Sequence, residues 1–383
     1  MTSTPHSTAP ADRLDRLLRF VAADPANNRL RADIFDTALG AGAFDEAQRQ
    51  VVWALTRDPA DFAWRHRLVL LDMARGEWDE ADALLRSLKD EGQSSPAIDY
   101  NLAYVDYAKG RLAQAEARLR QLVETAFDVL PQSLTVLMSC QHVRGASQEA
   151  VATFRGFASR VDAAASFGVA SLAAVDAEDR GAALAWADQA LVRDGRQPEA
   201  LVAKATLMLV DGNPAGALEL LSRVLERSPN DGRALSAAAV AELLCGRVAP
   251  ARALFARSAA AVPGHVETWL GLGWCDFLSG DMVAARASFE RALQQDSSRA
   301  DVHGALAAVH AMEGRRLDAE AAIRRAREID PREQSGQYAQ AILAGKAEPL
   351  ERILARVQAA FGQASRPDGR ALARPVADPR DGT

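Results

Sequence analysis

The chain has 383 residues, of which 49% are hydrophobic and 25% charged, and carries a net charge of −6. It has no Lys/Arg-rich block, which argues against a nucleic-acid footprint. It also has no apolar run approaching the 18 or so residues needed to span a membrane. By length alone two or three globular domains would be expected.

Taken in order, Met1 to Pro10 is rich in Ser, Thr and Pro and is expected to be a disordered tail, without a positively charged and apolar leader. Leu14, Leu17, Leu18 and Val21, followed by Pro25, predict one amphipathic capping helix within residues 11–27. From there a glycine recurs on a near-constant beat: Gly42, Gly76, Gly110, Gly145, Gly212, Gly246, Gly280 and Gly314. The intervals are 34, 34, 35, 67, 34, 34 and 34, and Glu178 stands in the slot that the long interval leaves empty. Five residues after each glycine is an alanine: Ala47, Ala81, Ala115, Ala150, Ala217, Ala251, Ala285 and Ala319. Nine residues after it is a bulky apolar residue, from Val51 and Leu85 to Phe289 and Ile323. Seventeen residues after four of the glycines is a proline: Pro59, Pro229, Pro263 and Pro331.

A fixed period of this length signals a repeat architecture and overrides the domain count suggested by length. The glycine is read as the reversal between two helices, because it tolerates positive φ. The alanine marks their closest approach, the bulky residue fills the space between repeats, and the proline ends the second helix. Nine repeats can be laid down from Asn28, Phe62, Pro96, Pro131, Ala164, Pro198, Gly232, Val266 and Ala300, over residues 28–333. The fourth carries a one-residue insertion. The fifth lacks its glycine but keeps Ala183, Ala190 and Leu191 in register. After Pro349, a stripe of Leu350, Ile353, Leu354, Val357 and Phe361 predicts a C-terminal cap within residues 334–362. Gln363 to Thr383 is expected to be a second disordered tail.

The unit with Trp269, Leu272, Gly273, Gly280, Ala285, Phe289 and Ala292 resembles the tetratricopeptide repeat (TPR), whose pattern is Trp-x2-Leu-Gly-x2-Tyr, then Ala-x3-Phe, then Pro. Asp276 stands in the Tyr slot and Ser297 in the Pro slot. The next unit has His303 and Ile323 in the aromatic slots. The resemblance implies an all-α, right-handed α-solenoid of about nine helix-turn-helix repeats, capped at both ends and elongated. It also implies that the first helix of each repeat lines an inner groove.

Motifs for chemistry are missing. There is no phosphate loop ending in Lys-Ser/Thr, no His-Glu-x-x-His and no Cys-x-x-Cys. Gly271-Leu272-Gly273 has neither a third glycine nor a preceding strand. Cys140 and His142 are two apart, about 200° around a helix, so they do not form a nucleophile and base. Cys140, Cys245 and Cys275 are sparse and unpaired in spacing, as expected in a reducing compartment such as the cytoplasm. No catalytic activity, cofactor or metal is expected.

The expected groove residues of the third repeat are Tyr100, Asn101, Tyr104 and Tyr107, which hold three of the chain's four tyrosines. His66 and Arg67 come from one neighbouring repeat and His142 from the other. Tyrosine combines contact area with a polar tip, which suits recognition, although an aromatic stripe at this spacing also suits a helix core. Further along, the same positions turn apolar at Val202, Leu209, Val240, Leu243, Leu244, Leu270, Trp274 and Phe277. An exposed strip of that kind would mark a partner site. A carboxylate clamp of the type that binds chaperone C-termini is not expected, since the first three inner helices lack Lys at these positions. The functional expectation is a non-enzymatic scaffold that holds a protein or peptide partner, without membrane insertion, and with homo-oligomerisation left open. Two alternatives are a cytosolic chaperone or assembly factor for a bacterial secretion, pilus or envelope-polysaccharide system, and a non-catalytic accessory subunit of a glycosyltransferase or other enzyme.

Overall fold

In the computed structural model, residues 10–349 and 352 are described. Among them are twenty α-helices and no strands. The helices fall into two compact units, Met1–Asp162 and Ala163–Thr383. Unit 1 contains α1 (Pro10–Ala23), α2 (Asn28–Gly40), α3 (Phe44–Arg57), α4 (Phe62–Arg75), α5 (Trp78–Asp90), α6 (Pro96–Ala108), α7 (Leu112–Thr125), α8 (Leu130–Val143) and α9 (Ser147–Phe157). Unit 2 contains α10 (Ala164–Asp176), α11 (Arg180–Arg193), α12 (Pro198–Val210), α13 (Pro214–Leu225), α14 (Gly232–Leu244), α15 (Val248–Ala261), α16 (Val266–Leu278), α17 (Met282–Gln295), α18 (Ala300–Met312), α19 (Arg316–Ile329) and α20 (Gln334–Leu343). The fold class is the all-α repeat solenoid read from the sequence.

Each repeat is built the same way. A side-chain cap starts the first helix in many of them: Asn27 accepts from the Leu30 amide at 2.9 Å, and Asp231 accepts from the Ala234 amide at 2.9 Å. Proline opens α6, α12 and α13, where its missing N–H would have had no partner. The first helix then ends on a residue of positive φ. All eight beat glycines lie between +69° and +80°. Glu178, in the empty slot, takes φ +58° and is the non-glycine exception among the described residues. A side chain in this region costs on the order of 1 kcal/mol or more, yet the reversal survives because the flanking helices define it. The close-contact alanines have no solvent exposure, and the bulky residues nine after the glycines are buried. The insertion in the fourth repeat is absorbed by a 3-10 turn, Phe127–Val129, so its first helix starts at Leu130, one residue before the position read from the sequence.

Consecutive helices pack pairwise, and within unit 2 each first helix also touches the next: α10 with α12, α12 with α14, α14 with α16, α16 with α18, and α18 with α20. In unit 1, α6 touches α8. Side chains link the earlier first helices: Trp64 Nε1 of α4 donates to Asn28 Oδ1 of α2 at 2.7 Å. The first helices therefore form one face of each unit. The expected stripe from Leu350 to Phe361, most of the expected N-terminal tail and the whole C-terminal tail lie outside the described residues.

Candidate interaction face

The face of unit 1 is built on α4 and α6. Along α6, Ile98, Leu102 and Val105 turn inward and are buried, while Tyr100, Tyr104 and Tyr107 lie on the opposite side and are half-buried. Their rings form a row: Tyr100 to Tyr104 is 6.2 Å between centroids and Tyr104 to Tyr107 is 6.3 Å. Trp78, the first residue of α5, extends the row at 6.1 Å from Tyr104. These spacings fall within the range of favourable tilted and edge-to-face contacts, so the rings hold one another in place. Burial, helped by the neighbouring Tyr104, pushes the Tyr100 hydroxyl up to about 12, so it stays protonated and can donate. The hydroxyls of Tyr100 and Tyr104 make no hydrogen bond among the described residues.

Beside the row, His66 stacks on Phe62 at 6.1 Å with 14° between planes. The Asn101 side-chain nitrogen lies 3.0 Å from His66 Nε2. Burial, and then the Arg67 charge, holds His66 below the ordinary imidazole range. The neutral ring can therefore accept from the Asn101 amide. Arg67 lies over Trp64 at 5.2 Å and Phe35 at 5.9 Å, with its Nε 3.6 Å from Asp36 Oδ1.

The structure thus brings together Tyr100, Tyr104, Tyr107, Asn101, His66 and Arg67, but on different terms. Asn101 is only 5% exposed and joins α4 to α6. It therefore lies deeper than the sequence reading expects, with its amide nitrogen against His66. Arg67 is already paired, and a partner carboxylate would compete with Asp36. Trp78 was missed by the sequence reading. Its signal was available: it occupies the slot two residues after the glycine, held elsewhere by Phe44, Leu112, Val248 and Met282.

In unit 2 half of the expected apolar strip is inside, and Val240 is exposed. Val202, Leu209, Leu270 and Phe277 are buried. Phe277, at 3% exposure, packs on Trp274 with centroids 5.5 Å apart, and Trp274 packs on Phe289 at 5.3 Å. Its expected role as an exposed contact is corrected: in this repeat the inner position touches the next first helix. Leu243, Leu244 and Trp274 remain half-buried.

The described residues contain no group of three His, Cys, Asp or Glu side chains placed to hold a metal ion, and no helix long and apolar enough to cross a membrane. Burial pushes the thiols of Cys140 and Cys275 up to about 12, which makes them poor nucleophiles.

Comparison with known proteins gives a consistent result. Tetratricopeptide-repeat family models match residues 33–96, 169–232 and 208–272. No curated protein matches in sequence. Among solved structures, a human IFIT1 dimer with m7Gppp-AAAA is similar in fold, with a TM-score of 0.56, 14% identity and coverage of 94% of this chain and 93% of that one. PilF of Pseudomonas aeruginosa gives 0.46 and 15%, covering 57% of this chain and 99% of that one. A tetratricopeptide-repeat protein of Parabacteroides merdae gives 0.43 and 17%, covering 65% and 98%. Repeats of this family generally mediate protein–protein interaction. The helical pairs, the glycine and alanine register and the family matches show tetratricopeptide-type repeats over residues 33–96 and 169–272 of this chain.

Proposed function

We propose that the chain is a non-catalytic scaffold that holds a segment of a partner protein against the first-helix face of unit 1. Tyr100, Tyr104 and Tyr107 supply the contact, and Trp78 backs them. The observation that carries this reading is the pair of unbonded hydroxyls on the row of half-buried rings. Packing alone would be served as well by Phe or Leu. A tyrosine whose tip has no partner in its own chain suits a surface that must offer a donor to a backbone carbonyl. The likeness to IFIT1 at 14% identity concerns the fold. The acidic balance of this chain, −6, and its lack of a basic block favour a protein over a nucleic acid as partner.

The test is affinity purification from the native host with the wild-type chain and with Tyr104→Ala/Tyr107→Ala, both first checked for the same helical circular dichroism. The double variant is expected to weaken partner binding by about 2 kcal/mol or more, the range of interface hot spots. Equal recovery of the same partner by both proteins would refute the assignment of this face.

A further inference from the structure

At the far end of unit 2, a cavity of about 450 Å3 opens between the ends of α16, α18 and α20. Phe277, Leu278, Met282, Met312, Tyr338 and Ile342 form its apolar wall. Met312 is 52% exposed there, a large apolar side chain left uncovered. The chain itself leads into this space. In the preceding repeats the second helix begins two residues after the turn glycine, as at Trp78 after Gly76 and Arg316 after Gly314. After Gly345, φ +65°, residues 346–349 take no helical conformation. Tyr338 Oη donates to the Glu348 carbonyl at 3.4 Å, and Glu348 and Pro349 line the cavity.

We propose that the segment Leu350–Phe361 of this same chain is the occupant of that cavity. Its sequence places Leu350, Ile353, Leu354, Val357 and Phe361 at helical spacing, an apolar stripe matched to an apolar wall. Methionines at the rim can adapt to it. A rival seat exists between α19 and α20, where a cap in regular repeat register would lie. That groove carries Arg316, Arg324 and Arg327 against a single Glu320. The segment brings Arg352 and Arg356 against a single Glu351, so like charges would meet there. The cavity beside Met312 has no cation in its lining. The apolar end of the first-helix face in unit 2 is then filled by the chain itself.

Hydrogen–deuterium exchange on the full chain tests this. Leu354→Asp/Phe361→Asp should speed exchange in residues 274–282 and 338–345 by on the order of tenfold, with 285–309 unchanged as the sign that the repeats stay folded. Met312→Asp, at an exposed rim position, should do the same, and combining all three should add nothing further. Three results would each overturn the proposal: no change, a change confined to 316–327, or protection that varies with protein concentration, which would name a second copy as the occupant.

Discussion

At the residue scale, the repeat sets each side chain against a fixed neighbour. Gly271 and Gly273 in α16 show this. A Cβ at Gly271 would lie 2.2 Å from the Phe255 ring, and one at Gly273 would lie 2.4 Å from the Phe289 ring. Both rings are buried, so neither can move aside. Alanine is the better helix former by about 1 kcal/mol. Gly273→Ala should nevertheless destabilise unit 2 by roughly 1–3 kcal/mol through overpacking, read as a lower midpoint in urea. A raised midpoint would show that Phe289 has room to shift. Asp72 gives a second residue-scale outcome. Burial, with Glu77 and Glu80 nearby, raises its carboxyl to about 6. A carboxyl raised on folding stabilises below its unfolded value, about 3.9, and loses that contribution as pH climbs through 6. Asp72→Asn should therefore gain melting temperature relative to wild type between pH 4 and 7, with little difference at pH 4. A difference that shrinks as pH rises would contradict the direction.

At the element scale, the close approach of paired helices rests on the alanine slot. Ala285→Leu should destabilise by about 1–3 kcal/mol, whereas the same change at Ala287, exposed on the same helix, should leave the urea midpoint within about 0.5 kcal/mol. Equal effects would mean that the slot does not set the packing distance. The elements were legible because glycine and alanine mark the two places where backbone geometry leaves little choice: the reversal and the contact. Even the irregular repeat declared itself, since Ala183 and Ala190 held their places and both are buried. Depth was less legible. A period tells which side of a helix faces the groove, but it does not tell whether the next helix covers that side, and Phe277 and Asn101 were placed too far out for this reason. Trp78 escaped because it lies on a second helix, whose first residue swings back over the first-helix face at the turn. The Gly271 and Gly273 pair, unexplained by any motif, became readable only with Phe255 and Phe289 in view.

At the scale of the whole molecule, the two units divide the apolar and aromatic surface differently. Unit 1 leaves a row of half-buried tyrosines, and unit 2 buries half of its strip and leaves a cavity at the entry to its own C-terminal segment. A scaffold with one such face should engage its partner through unit 1. Photo-crosslinking in the native host addresses this most directly, with a benzophenone amino acid placed at Tyr104 in one strain and at Val52 in another. Val52 is an exposed apolar position on the second helix α3 of the same unit. The expected result is a discrete crosslinked protein from position 104 that is missing from position 52. Crosslinks of equal yield from both positions, or from position 52 alone, would contradict the assignment of the tyrosine face as the partner surface.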